Sequence, residues 1–257
     1  MENKNITTIT DESLLNNPAP RLPVCLCLDV SGSMGAVTGD FKRTGETVYS
    51  DGQSWELVEG GTSRIEELER GIQMFYDAIR EDETALYSAE VCIVTYNDKA
   101  RCLQDFTTLD NEEIKVPQLE ADGGTSMGEG VNLALDLLER RKEMYKAAGT
   151  DYFQPWIVLM TDGEPNGDAE ELSRAIDRTV AMQRDKKLII FPIGVGTEAG
   201  MSTLKEFSPK RPPLRLKGLK FKEFFEWLSQ SVSRTSNSRP GETVTLDKTD
   251  SWREIEL

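Results

Sequence analysis

The sequence predicts an α/β fold of three layers, in which a mostly parallel β-sheet lies between two layers of helices. Four continuous apolar runs are typical of strands that are buried on both faces. These runs are VCLCL (24–28), VCIVTY (91–96), WIVLM (156–160) and LIIFPI (188–193). Segments with the apolar spacing of helices alternate with the runs, and this alternation favours parallel strands joined by helical crossovers.

Four segments have the apolar spacing of amphipathic helices. Their apolar residues are Ile65, Leu68, Ile72, Phe75, Tyr76 and Ile79; Val131, Leu135 and Leu138; Leu172, Ala175, Ile176 and Val180; and Phe221, Phe224, Phe225, Leu228 and Val232. The first two segments begin with a capping-box pattern, Ser63 with Glu66 and Ser126 with Glu129. We therefore expect a helix to start directly after each of these serines.

One edge strand is predicted to run antiparallel to the others. The stretch KARCLQDF (99–106) follows the run at 91–96 after a link that is too short for a crossover. Such a link permits only a hairpin with the preceding strand.

A β-hairpin insertion is predicted after the first strand. Residues 35–62 interrupt the path to the first helix, and they contain ETVY, SDGQ and SWELV, a pattern of strand, turn and strand. Tyr49 and Trp55 of this hairpin are candidate anchors for a partner protein, because aromatic residues dominate interface hot spots. The alternative is that both aromatic side chains pack on their own domain.

The two ends of the chain are expected to lie outside the main domain, which spans residues 21–235. Residues 1–20 are interpreted as a mobile N-terminal arm. Residues 236–257 are interpreted as an acidic tail with Trp252 as its apolar anchor. We hypothesise that the tail folds back onto the basic strip within 205–222 or reaches a neighbouring molecule. A loose tail beside a solvated basic face is one alternative, and a strip that accepts an anionic partner such as a phosphorylated segment is another.

The composition excludes several classes of function. Thirty basic and 45 acidic residues give a net charge of −15, which argues against partners that are polyanions, such as nucleic acid and anionic membranes. We find no leader-like segment and no apolar run of about 18 residues, so we expect a cytoplasmic protein without a membrane span. The chain contains no histidine, which excludes serine–histidine catalysis and histidine-ligated zinc.

The four cysteines do not form a C-x-x-C pair. Cys25, Cys27 and Cys92 lie in apolar runs, and Cys102 lies in the predicted edge strand. We expect them to be small buried side chains in a reducing compartment, with a redox or zinc role as the alternative.

Polar residues that carry oxygen follow three of the predicted elements. Asp29, Ser31 and Ser33 follow the first strand, Thr125 precedes the second helix, and Asp162 follows the run at 156–160. Because ligands of open α/β sheets gather at the carboxyl ends of the strands, we expect these side chains to meet. Hydroxyl and carboxylate oxygens suit Mg²⁺ or Mn²⁺, and Ca²⁺ less well. Ordinary turn and capping roles are the alternative, and Ser126 is interpreted as a helix cap.

Three separated motifs resemble the metal-ion-dependent adhesion site of von Willebrand factor A domains. They are D-x-S-x-S at 29–33, G-G-T at 123–125 and T-D-G at 161–163, and the resemblance covers roughly residues 22–235. It implies a Rossmann-like fold in which the hydroxyls of Ser31, Ser33 and Thr125 coordinate the metal. Asp29 and Asp162 would bind directly or through water. A sixth coordination position would be left to solvent or to a carboxylate from a partner protein.

Further stretches resemble a bacterial subgroup of this family. RLPVCLCLDVSGSM, GGTSMGEGVNLAL and FPIGVG are similar to segments of TerY-type proteins, which are associated with tellurite resistance and stress. This resemblance implies partners such as protein kinases or PP2C-type phosphatases.

The sequence therefore predicts a non-enzymatic adaptor or scaffold that binds a partner protein through a divalent metal. One alternative is a subunit of an ATP-driven chelatase-type complex, whose ATPase would be a separate chain because we find no P-loop here. A second alternative is a magnesium-dependent phosphotransfer enzyme with Asp29 as nucleophile. Against it, Ser31 stands where such enzymes have a second aspartate, and no lysine is placed for catalysis.

Overall fold

The central sheet has the mostly parallel arrangement that the sequence predicts. The computed structural model of the protein describes residues 14, 17–50, 53–197, 199–216 and 218–249. The strands are β1 (Leu22–Asp29), β2 (Val37–Ser50), β3 (Gln53–Ser63), β4 (Ala89–Tyr96), β5 (Ala100–Thr107), β6 (Trp156–Thr161), β7 (Ile189–Val195) and β8 (Leu214–Leu216). Six of them form one sheet in the order β5-β4-β1-β6-β7-β8. The central strand β1 pairs in parallel with β4 and β6, and β5 pairs antiparallel with β4 at the edge, as predicted.

Helices cover both faces of this sheet. They are α1 (Arg64–Glu81), α2 (Glu83–Ser88), α3 (Met127–Ala148), α4 (Ala169–Arg184), α5 (Met201–Phe207) and α6 (Phe221–Ser236). The apolar faces of α1 and α6 pack on one side of the sheet, and those of α3, α4 and α5 pack on the other. Among the helices of the described residues, none is long and apolar enough to cross a membrane.

Alternation along β1 explains why its whole apolar run is buried. Val24, Leu26 and Leu28 face the layer of α1 and α6, whereas Cys25 and Cys27 face the layer of α3. On the first side α1 and α6 approach each other closely at Gly71, where an added Cβ would lie 2.4 Å from a ring carbon of Phe225.

One of the two predicted capping boxes is present. The Ser63 hydroxyl accepts a hydrogen bond from the Glu66 amide, and the Glu66 carboxylate accepts one from the Ser63 amide. The prediction for Ser126 and Glu129 is wrong, because Ser126 makes no capping hydrogen bond although α3 starts directly after it. Its hydroxyl donates instead to the carbonyl of Asp98, 3.2 Å away on the loop after β4.

The predicted hairpin insertion is present as a separate two-stranded sheet. β2 and β3 pair antiparallel with each other, from Val37 opposite Ser63 to Ser50 opposite Gln53. Near the far end of the hairpin Tyr49 is 76% exposed. Within the described residues β2 and β3 pair with no strand of the central sheet, so the hairpin is a projection from the domain.

Both ends of the described chain contact the main domain. The Asn17 side-chain amide donates to the carbonyl of Tyr87 at 2.8 Å, so the end of the predicted mobile arm is held in place. Residues 1–13, 15 and 16 of that arm lie outside the described residues.

The acidic tail docks on a different surface from the one we hypothesised. Arg234 of α6 donates to both carboxylate oxygens of Asp247 at 2.9 Å, and the indole N–H of Trp227 donates to the Asp247 carbonyl at 3.0 Å. These partners lie outside the basic strip at 205–222. Trp227 and Arg234 are two turns apart on one face of α6, so both can bond to Asp247. The predicted anchor Trp252 lies outside the described residues.

A buried ionic cluster fixes α3 to the amino ends of β1 and β4. Glu90 receives two hydrogen bonds from Arg141, at 2.6 and 2.8 Å, and one from the Tyr145 hydroxyl at 2.5 Å. Arg21 lies 3.2 Å from the same carboxylate, and the side chains of Arg21 and Glu90 are fully buried. The cluster helps to set the position of α3, whose other end reaches the opposite edge of the sheet.

We expect Glu90→Ala to destabilise the protein strongly, because it leaves two buried guanidinium groups without their carboxylate. The free energy of unfolding in urea should fall by about 3–5 kcal/mol. The matched control is Glu56→Ala, which removes an exposed pair with Arg43 and should cost less than about 1 kcal/mol. Equal losses in the two variants would contradict this role of the cluster.

Candidate metal centre

The first part of the candidate site is built where β1 ends. Asp29 is the last residue of β1, and its Oδ1 accepts a hydrogen bond from the Ser31 amide at 2.8 Å, as in an Asx turn. A 3₁₀ turn at Gly32–Gly35 follows, and the buried Met34 anchors it in the core. This turn brings the hydroxyl oxygens of Ser31 and Ser33 to within 3.1 Å of each other.

The neighbouring strand β6 completes a continuous hydrogen-bonded network. The Thr161 hydroxyl donates to Asp29 Oδ2 at 2.6 Å, and the Ser33 hydroxyl donates to Asp162 Oδ1 at 2.6 Å. Four of the five predicted metal ligands are therefore joined through direct contacts, although Asp29 and Asp162 are more than 130 residues apart in sequence.

The structure places Thr125 at the same edge through its backbone. The Thr125 amide donates to Asn166 Oδ1 at 2.7 Å, and the Asn166 amide donates to the Thr125 carbonyl at 3.2 Å. The Gly32 amide donates to the Gly123 carbonyl at 3.0 Å. The loop of Thr125 is thus tied to the segments that follow β1 and β6. Among the described residues, no hydrogen bond involves the Thr125 hydroxyl, so it is not committed to another partner.

The two glycines before Thr125 allow this loop to pack tightly. Gly123 has a φ of +67°, and an added Cβ there would lie 2.7 Å from a carboxylate oxygen of Asp98. At Gly124 an added Cβ would lie 2.8 Å from Asn166 Oδ1, and the Gly124 amide donates to Asp98 Oδ1 at 2.7 Å. Any side chain at either position would displace the segment that carries Thr125.

Arg64 is a charged residue of the site that sequence reasoning missed. Its guanidinium Nη1 lies 2.5 Å from Asp162 Oδ2, and the Asp162 side chain is fully buried. Arg64 is the first residue of α1, and its amide donates to the carbonyl of Ala36 at 3.1 Å, where the hairpin insertion starts. The base of the hairpin therefore adjoins the candidate metal ligands.

Three other contributors were also missed. Thr161, Asp98 and Asn166 each hold a predicted ligand or its loop in place. Asp98 and Asn166 lie in loops after β4 and β6, so a search of every carboxyl end of the sheet for polar residues would have found them.

Burial dominates the electrostatics of Asp29. This carboxyl is fully buried, and its desolvation raises the pKa of Asp29 to about 6, although hydrogen bonds from Ser31 and Thr161 favour the charged form. With Asp29 and Asp162 ionised, Arg64 supplies one positive charge against two negative ones. A divalent cation would compensate the remaining charge.

The donor set fits a hard divalent cation. Ser31, Ser33, Thr125 and Asp162 offer oxygen atoms, the ligands that Mg²⁺ and Mn²⁺ prefer. Both oxygens of Asp29 already accept hydrogen bonds from the Ser31 amide and the Thr161 hydroxyl. Asp29 is therefore suited to orient the hydroxyl ligands and to contribute charge from behind them.

One of the predicted partner anchors, Tyr49, lies away from this centre. Tyr49 lies opposite Ser54, nine positions along β3 from Ser63 at the base of the hairpin, which is roughly 30 Å along an extended strand. Trp55 lies opposite Val48 in the same hairpin, and its side chain is outside the described part of the structure, as is all of Trp252. Of these three aromatic residues the structure therefore tests Tyr49 alone, which it does not bring to the candidate ligands.

Comparisons with known proteins agree with the fold. The family model for the von Willebrand factor type A domain matches residues 24–164, a range that contains all five predicted ligands. No curated protein sequence matches the chain.

Several solved structures are similar in fold at low sequence identity. A von Willebrand factor type A protein from Catenulispora acidiphila has 16% identity and a TM-score of 0.55, over 84% of this chain and 43% of that one. The pilus adhesin SpaC from Lactobacillus rhamnosus GG has 11% identity and a TM-score of 0.60, over 84% and 31% of the two chains. Proximal thread matrix protein 1 from the mussel byssus, with a zinc-occupied MIDAS motif, has 17% identity and a TM-score of 0.51, over 86% and 47%. The chain thus covers less than half of each of these three structures.

The raised pKa of Asp29 predicts a pH-dependent cost in metal-free protein. Because the folded pKa of about 6 exceeds the usual value of 3.8, the stability contribution of Asp29 is present at low pH and is lost as the pH rises through 6. In EDTA, Asp29→Asn should therefore gain stability relative to wild type between pH 4.5 and 8, by on the order of 1–3 kcal/mol. Urea unfolding at several pH values measures this difference. Asp77→Asn, at an exposed carboxylate on α1, is the control and should stay parallel to wild type.

The contact between Arg64 and Asp162 predicts competition between the guanidinium and a metal ion. We expect Arg64→Gln to bind Mg²⁺ about 10–100-fold more tightly by titration calorimetry, because it removes a positive charge beside a cation ligand. Arg70→Gln, which removes an exposed ion pair on the same helix, should bind Mg²⁺ like wild type. Weaker binding by Arg64→Gln would show that the arginine supports the metal site instead.

Proposed function

We propose that this chain, which belongs to the von Willebrand factor type A domain family, binds a partner protein through a divalent cation at the candidate metal centre. The network that joins Asp29, Ser31, Ser33 and Asp162 is the observation that carries the proposal. The fold of the chain is similar to that of a mussel protein whose MIDAS motif holds zinc, which supports a divalent cation here. We propose Mg²⁺ or Mn²⁺ as the resident ion, because every donor is an oxygen.

The chemistry of the donors favours recognition of an acidic residue. Ser31, Ser33 and Thr125 are neutral donors, so a bound cation would keep much of its positive charge and attract an anionic oxygen from outside. The protein is acidic overall, but its more distant charges are screened beyond about 8 Å at physiological ionic strength. A carboxylate of an approaching Asp or Glu is therefore the partner group that we propose.

We propose further that the protein is not an enzyme. A phosphotransfer role would require Asp29 to attack a phosphoryl group. Its two oxygens instead accept hydrogen bonds from Ser31 and Thr161, and the side chain is fully buried. These contacts suit a carboxylate that orients neighbouring donors.

The hairpin insertion offers a second contact surface for the partner. It starts beside Arg64 at the metal centre and leads to the exposed Tyr49. A partner that reaches the metal and also lies along the hairpin would contact a single continuous face.

Our proposal for the cellular role rests on the resemblance of the sequence to TerY-type proteins. We propose an adaptor in a cytoplasmic stress or tellurite-resistance system, with a protein kinase or a PP2C-type phosphatase as partner. A subunit of a chelatase-type complex is the alternative, and co-purification of a separate ATPase would favour it.

The first test is whether partner capture depends on the metal. We expect proteins captured from native lysate by the wild type in Mg²⁺ to be lost both in EDTA and with Asp29→Ala, because both treatments disrupt the cation site. Asp77→Ala is the matched control and should capture as the wild type does. Capture that persists in EDTA and with Asp29→Ala would refute the metal-dependent mechanism.

Deletion of residues 38–60 tests the hairpin separately. We expect the deletion to weaken affinity for the captured partner by about tenfold or more, since interface aromatics such as Tyr49 contribute strongly. Its Mg²⁺ affinity should not change. The partner affinity of Tyr49→Ala, measured in parallel, separates the contribution of this side chain from that of the whole hairpin. Unchanged partner affinity in both variants would exclude the hairpin from the interface.

A further inference from the structure

Three of the four cysteines converge on the face of the sheet that α3 covers, away from the candidate metal centre. Cys25 of β1 lies opposite Cys92 of β4 in the parallel pairing, and both side chains belong to the apolar cluster under α3. Cys102, on the edge strand β5, lies opposite Val94 of β4, which packs in the same cluster. The sulfur atoms of Cys92 and Cys102 and a carboxylate oxygen of Asp105 all lie within 4.8 Å of one another.

Irregular pairing of β5 brings these groups together. In a regular strand, Cys102 and Asp105 are three positions apart and would project from opposite faces. The pairing with β4 shifts register twice, between Val91 and Ile93 and between Ile93 and Val94. Such bulges re-aim side chains, and they are common beside functional sites. The cluster therefore depends on a local feature of the backbone.

Solvent can reach the cluster from one side. Cys102 is exposed, whereas Cys25 and Cys92 are buried, so the group opens at the edge of the sheet. Asp105 forms an ion pair with Arg140 of α3, and its other oxygen accepts a hydrogen bond from the Phe106 amide. A carboxylate has about four lone-pair positions, so these contacts leave capacity for another bond.

We propose that Cys92, Cys102 and Asp105, with Cys25 beside them, form a second metal site that binds Zn²⁺. Thiolate sulfur together with one carboxylate oxygen is a donor set that zinc accepts, whereas Mg²⁺ and Mn²⁺ prefer oxygen alone. The carboxylate favours Zn²⁺ over Cu⁺, which prefers sulfur ligands. The two sites of the chain would thus select different ions.

Binding at this site is an exchange of protons for a metal ion. Zn²⁺ bonds to the sulfur atoms of Cys92 and Cys102 as thiolates, and the two thiol protons pass to solvent without any oxidation or reduction. An ordinary cysteine thiol is mostly protonated at neutral pH, so the metal ion must displace these protons. Zinc affinity should therefore rise with pH.

Cobalt substitution tests the site directly. In full-length protein kept reduced with a phosphine, Co²⁺ should give the near-ultraviolet charge-transfer absorption of a thiolate–cobalt bond. Cys102→Ser should lose this absorption and one equivalent of bound zinc. Because Cys102 is exposed, the variant should stay folded, which circular dichroism verifies. Cys27→Ala is the matched control, because it removes a buried thiol of β1 that lies outside the ligand group.

A variant of the oxygen site separates this inference from the proposed function. Asp29→Ala should keep the cobalt absorption, and Cys102→Ser should keep the Mg²⁺ dependence of partner capture. The zinc site is refuted if wild-type protein with all thiols reduced shows no charge-transfer absorption, or if Cys102→Ser retains it. Loss of the absorption in Asp29→Ala would likewise refute an independent site.

Discussion

The hydrogen bond between Thr161 and Asp29 is the contact on which the metal centre depends. It joins the ends of two parallel strands, because the pairing of β1 with β6 places Leu28 opposite Met160 and so brings the next residues together. A carboxylate without such partners could not stay ionised at this depth in the core. Held by these hydrogen bonds, Asp29 fixes the turn that presents Ser31. The pairing of β1 with β6 therefore also positions the candidate metal ligands.

Arg64 couples the hairpin insertion to the same edge of the sheet. The chain leaves the site after Ser33, makes the hairpin and returns as the first residue of α1, whose guanidinium contacts Asp162. The arginine offsets one of the two buried negative charges when no other cation is present. Residues at the base of the hairpin, which the deletion of 38–60 would leave in place, therefore hold Arg64 beside Asp162.

The thiol donors of the chain lie apart from the candidate site whose ligands are all oxygen atoms. Oxygen donors gather where parallel strands end, whereas Cys92 and Cys102 meet in the middle of the β4–β5 pair. Strand ends expose backbone and polar turns to water, so they suit hydroxyls and carboxylates. The sheet face is apolar, so it tolerates thiols, which behave as small hydrophobic side chains until a metal ion or an oxidant meets them.

The sequence by itself determined the layered architecture, the antiparallel edge strand and the hairpin, because apolar periodicity and link length report which residues are buried and which strands can pair. It also indicated the candidate ligands, since residues that follow parallel strands share one edge of the sheet. The three short elements α2, α5 and β8 were missed, because they span too few residues to show the apolar periodicity of a helix or a strand. Only the tertiary structure decided the contacts of Arg64 with Asp162, Asn166 with Thr125, and Arg234 with Asp247. Such contacts depend on the distances and directions between side chains of separate elements, and no local pattern along the chain encodes those quantities.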